Sequence, residues 1–127
     1  RRLWSNYREI EADYYRRTGI FPIRHTVVVK DEILKSHPWV AASLLQAFEQ
    51  AKKLGFEHMS DQRRSFLAWY GAQMEEEQAF FGADFWSYSV KKKRATLETM
   101  LVYAEEQAIT TRRLAVEELF VPSTLDY

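Results

Sequence analysis

Residues Thr18 to Trp39, TGIFPIRHTVVVKDEILKSHPW, decide how the rest of the chain is read. Gly19 and Pro22 break helix on the way in, because proline disfavours helical backbone in the residue before it and glycine readily leaves it. Ile23 to Val29 then brings three consecutive valines, whose β-branched side chains favour strands. The run reads as one principal β-strand near residues 23–29, buried on both faces, in a chain that is otherwise mostly α-helical. A lone strand leaves backbone N–H and C=O groups unpaired. The ribbon is therefore expected to complete a sheet belonging to a larger α/β protein, or to pair with a second copy as a homo-oligomer. The opening Arg1-Arg2-Leu3-Trp4, with neither initiator Met nor signal pattern, reads as an interior start.

Outward from the strand, helix signals take over. Asn6 and Glu9 have capping spacing, Tyr7, Ile10 and Tyr14 share a face, and Arg16, Arg17 and Gly19 close a helix from about Asn6 to Thr18. After a turn at Lys30 to Ser36, a helix is expected from Pro38 to Leu54, with Val40, Leu44 and Phe48 aligned and Gly55 as its cap. A third is expected from near Ser60 to Phe81, ending at Gly82. A fourth runs from about Val90 to Ala108 with Leu97, Met100, Leu101 and Ala104 inward. A short one at Ala115 to Phe120 precedes Pro122 and an extended tail.

Composition excludes several classes. The 127 residues carry 18 basic and 18 acidic side chains, so no net field favours nucleic acid or an anionic membrane. No apolar run approaches the roughly 20 residues needed to cross a bilayer, so no membrane insertion is expected. The absence of cysteine removes disulfides and thiolate chemistry and leaves the compartment open.

Four blocks carry a resemblance: YYRRTGIFPIRHTVVV (Tyr14 to Val29), HPWVAASLLQAFEQAK (His37 to Lys52), GADFWSYSV (Gly82 to Val90) and RRLAVEELFVPSTL (Arg112 to Leu125). Together the sequence resembles the C-terminal part of the 4,5-dihydroxyphthalate decarboxylase family. The resemblance implies an α/β fold like that of type II periplasmic solute-binding proteins, two lobes around a cleft. Residues 1–22 would come from the second lobe or hinge, and residues 23–127 would form the returning strand and C-terminal helices. It implies decarboxylation of a hydroxylated aromatic carboxylate by a carbon–carbon lyase, inactive as this segment alone. A cytoplasmic location is expected. The alternative is a non-catalytic solute-binding protein of a transporter for a small aromatic or carboxylate ligand, which would be periplasmic. The family tends to read Asp-Phe-Trp-Pro-Tyr-Gly where this chain has Asp84 to Ser89, with Ser87 and Ser89 in place of proline and glycine. A positive φ at the second of these positions would strain serine.

Such a decarboxylation needs a clamp for carboxylates, a proton donor aimed at the carbon that loses carbon dioxide, and groups that manage phenol oxygens. His25, with an ordinary pKa near 6.5, is the candidate catalytic proton donor. Its alternative is a histidine packed in the hinge against a backbone carbonyl. Arg24, Thr26 and Tyr14 are candidate substrate-binding residues. Neighbours on a strand point to opposite faces, so Arg24 and His25 reach one ligand only across a bend. Arg24 also reads as a surface cation, and Tyr14 as core. His37 and His58 need no function beyond a helix start and a loop. No histidine pair has metal-ligand spacing, so this segment implies no metal and no cofactor. The aromatics Trp69, Phe80, Phe81, Phe85, Trp86 and Tyr88 suit core packing or a ligand platform.

Overall fold

The valine run does not become a strand. In the computed structural model, which describes residues 2–127, every regular element is helical. The described residues contain no strand, which corrects the expected α/β, solute-binding-protein-like architecture. Residues 19–30 are irregular, and backbone groups from Phe21 to Val29 make no backbone–backbone hydrogen bond. Val27 and Val28 are 63% and 89% exposed, so their N–H and C=O groups face water instead of a ladder. β-branched residues favour a pleated surface only where a partner supplies the ladder, and no second segment here has that character.

The first helix, α1 (Tyr7–Thr18), ends as its signals predict, but the expected capping pair does not form at its start: Asn6 makes no side-chain cap, and its amide donates to the Glu9 carboxylate at 3.4 Å. The helix stops at Gly19, whose φ of 66° is left-handed and whose N–H reaches the Tyr15 carbonyl. The expected turn after Lys30 is instead α2 (Asp31–Ser36), where Asp31 and Glu32 favour the positive helix end and the Ser36 hydroxyl bonds back to the Glu32 carbonyl. α3 (Val40–Ser60) runs straight through Gly55, because a helical glycine costs only about 1 kcal/mol against alanine. The expected long helix from Ser60 is split. The Asp61 carboxylate accepts the Arg63 N–H at 3.2 Å and caps a 3₁₀ turn at Gln62–Arg64, and Ser65 Oγ accepts the Leu67 N–H. Such side-chain acceptors compete with the helical ladder, so α4 begins only at Tyr70 and ends at Phe81.

α5 (Val90–Glu106) matches its expected start, and the C-terminal stretch folds back over it as α6 (Val116–Leu119) and α7 (Pro122–Leu125). Proline at a helix's first turn loses no hydrogen bond, so Pro122 opens a turn of helix where an extended tail was expected. Val90, Leu97 and Leu101 of α5 meet Val116 of α6, all 5% exposed or less, with Leu114, Phe120 and Leu125 around them. Met100, expected inward, is 45% exposed. α7 also lies against α3, so the C-terminus ties α3 and α5 together. A second, aromatic seam joins the N-terminal part to the loop before α5: Tyr15 of α1 meets Phe80 and Phe81 of α4, and Phe21 meets Phe81, Phe85 and Trp86. No helix is long and apolar enough to cross a membrane among the described residues.

Candidate functional site

Gly82 ends α4 with φ 87° and turns the chain into the loop 82–89, which gathers charges from three directions. Ser89 closes that loop with φ −70°, so no positive φ is required and serine is unstrained there. It is the N-cap of α5: its hydroxyl accepts the Lys92 N–H at 3.1 Å and donates to the Tyr127 carbonyl. Ser87 Oγ accepts the Ser89 N–H. The two serines that depart from the Pro and Gly pattern therefore build the start of α5.

Asp84 is the centre of the charge cluster. One carboxylate oxygen takes Lys52 of α3 at 3.1 Å, and the other takes Lys92 of α5 at 2.9 Å. Lys52 also pairs with Glu49 one turn earlier at 2.9 Å, and its ammonium lies 4.6 Å from the Tyr88 ring centroid. Burial pushes the Lys52 ammonium down, but hydrogen bonds to Glu49 and Asp84 outweigh it and leave the pKa above its ordinary value. For Asp84, burial pushes up and the bonds from Lys92 and Lys52 outweigh it, so the carboxyl sits below its ordinary value. Glu49, Asp84, Ser87, Ser89 and Lys92 line an open cleft of about 270 Å³.

On the other side of the loop the cations meet rings. Lys93 donates to the Phe85 carbonyl at 2.9 Å and lies 5.4 Å from the Phe21 ring centroid, and Arg24 lies 5.4 Å from the Trp86 centroid. Phe21 and Trp86 stand edge to face at 5.2 Å. Burial lowers the Lys93 pKa, Asp84 opposes this, and the neighbouring Lys92 charge adds to it. The arrangement sets a cation over each ring, Lys93 over Phe21 and Arg24 over Trp86, and cations beside aromatic rings can hold an aromatic anion.

Of the residues singled out from sequence, Arg24 joins this cluster. His25 and Thr26 are exposed beside it, and no hydrogen bond or ring contact connects His25 to the cluster among the described residues. Tyr14 is half-buried on α1, and its carbonyl accepts the Thr18 hydroxyl. Lys52, Asp84, Lys92 and Lys93 were not singled out. The available signal was the run Lys91 to Arg94 directly after an acid-and-aromatic loop, which is unusual at a helix start because cations oppose the dipole there. A separate cleft of about 470 Å³ lies between the end of α3 and α4, lined by His58, Asp61, Arg64, Phe66, Leu67 and Tyr70. Arg64 donates to His58 and pairs with Asp61. Among the described residues, no three His, Cys, Asp or Glu side chains assemble to hold a metal ion.

No protein-family model matches this chain. Its similarity is to a decarboxylase of a hydroxylated aromatic carboxylate. That relative is 4,5-dihydroxyphthalate decarboxylase of Comamonas testosteroni, 29% identical over 126 residues that make up 98% of this chain. The chain spans 38% of the relative's length.

Proposed function

We propose that this chain is the C-terminal part of a cytoplasmic decarboxylase that acts on a hydroxylated aromatic carboxylate. The reading is carried by the similarity along 98% of the chain to an enzyme of that name, and the cationic ring cluster around Asp84 and Trp86 supports it. Arg24 would hold a ring carboxylate against Trp86. An electron pair from a phenolic oxygen would raise electron density at the carbon that bears the departing carboxylate. The His25 imidazolium would protonate that carbon, and carbon dioxide would leave with the ring regaining its aromatic electrons. Thr26 and Tyr14 are the further ligand contacts proposed on the same segment and on α1.

A chimera tests this: residues 1–127 replace the matching 126 residues of the Comamonas enzyme, and carbon dioxide release from 4,5-dihydroxyphthalate is measured. Activity that falls at least about a hundredfold in His25→Ala fits a general acid. A folded chimera that releases no carbon dioxide refutes the reading, and an unaffected His25→Ala removes that residue from it. A second reading, capture of an aromatic carboxylate without chemistry, has in its favour that His25 makes no contact with the cluster. It predicts ligand binding without carbon dioxide release.

A further inference from the structure

Of the four cations gathered around the loop 82–89, two are already neutralised. Lys52 and Lys92 share Asp84, and Lys52 has Glu49 as well. Lys93 differs. Its ammonium meets the neutral Phe85 carbonyl and the face of Phe21, and no carboxylate pairs with it among the described residues. Arg24, over the Trp86 ring, likewise meets a ring, and no carboxylate pairs with it among the described residues. Lys93 is also half-buried in the first turn of α5, where the positive end of the helix opposes an ammonium. An anion arriving at Lys93 gains a partner without first breaking an ion pair, whereas one arriving at Lys52 or Lys92 must displace Asp84.

We propose that Lys93 is the specificity-determining cation of this cluster, taking one anionic group of an aromatic acid whose ring lies against Phe21 and Trp86, with Arg24 taking the second. The choice of an aromatic acid rests on the reading given under Proposed function. Aromatic dicarboxylates are preferred over monocarboxylates, because two unneutralised cations flank the rings.

Titration calorimetry of the chain with benzene-1,2-dicarboxylate, benzoate and benzamide tests this. The dicarboxylate is expected to bind most tightly. Lys93→Met is expected to weaken it about tenfold or more, Lys93→Arg to restore it, and Lys91→Met to leave it unchanged. Equal affinity of wild type and Lys93→Met for the dicarboxylate overturns the assignment while leaving the decarboxylase reading intact. Failure of the wild type to bind the dicarboxylate overturns the subsite, and the chimera's carbon dioxide release then judges the reading separately.

Discussion

Replacing Asp84 by asparagine removes the charge at the centre of the cluster and keeps its shape. The Lys92 pair is exposed on both sides, 64% and 44%, and exposed pairs contribute at most about 1 kcal/mol. Lys52 is only 12% exposed, so its pair is screened less, but Glu49 remains to satisfy it and the substituted amide keeps an acceptor oxygen. Together the loss comes to about 1–1.5 kcal/mol near neutral pH. With a urea slope of about 2 kcal/mol per molar, the unfolding midpoint followed by far-ultraviolet circular dichroism falls by about 0.6 M. The sign of the pH dependence follows from the lowered carboxyl pKa. A carboxyl depressed in the folded state contributes stability that is complete above its unfolded value of about 3.9 and vanishes as pH falls through the folded value. The gap between wild type and Asp84→Asn should therefore be present near neutrality and close in strong acid. A gap of the same size at both ends of that range, or none near neutrality, would show that Asp84 is not held by charge.

Leu97→Ala should cost roughly 2–4 kcal/mol in the same assay, because Leu97 is 3% exposed among Val90, Leu101 and Val116. Gly19→Ala should cost about 1 kcal/mol, since the left-handed φ of 66° that ends α1 crowds a Cβ. The Glu118 carboxyl, which accepts from Arg112 and from the Ala115 N–H, should titrate at about 2 by carbon-detected magnetic resonance, and Arg112→Gln should move it back toward the ordinary glutamate range.

Local chemistry made some elements readable and hid others. α1 was legible because its stop depends on one glycine at a left-handed position, and the start of α5 because its apolar spacing changes beside the loop. The strand near residues 23–29 was misread because valine branching reports a preference for a pleated surface, while the outcome depends on whether another segment offers a ladder. The 3₁₀ turn after Asp61 escaped for the opposite reason. Helical periodicity continues through it, and only the carboxylate's reach to the Arg63 N–H diverts the backbone. Gly55 has no such competitor, and there the helix continues.

The cluster escaped residue-by-residue reading because its charge pattern forms only in three dimensions. Lys52 and Asp84 are 32 residues apart and lie on elements that meet through the fold-back of the C-terminus over α3 and α5. From sequence, Lys92 and Lys93 are equivalent neighbours in one basic run. In the fold, successive positions on a helix face different ways, and this sends Lys92 to Asp84 and Lys93 to the Phe85 carbonyl and the Phe21 ring. The accessible area of 10325 Å², against roughly 7,000 Å² for a compact chain of this mass, shows how little else fixes these parts. The Phe21 contacts with Phe81, Phe85 and Trp86 are therefore what place Arg24 beside the loop. Phe21 serves both the scaffold and the site, so the aromatic seam, more than the irregular segment's own preference, determines which cations remain open to an anion.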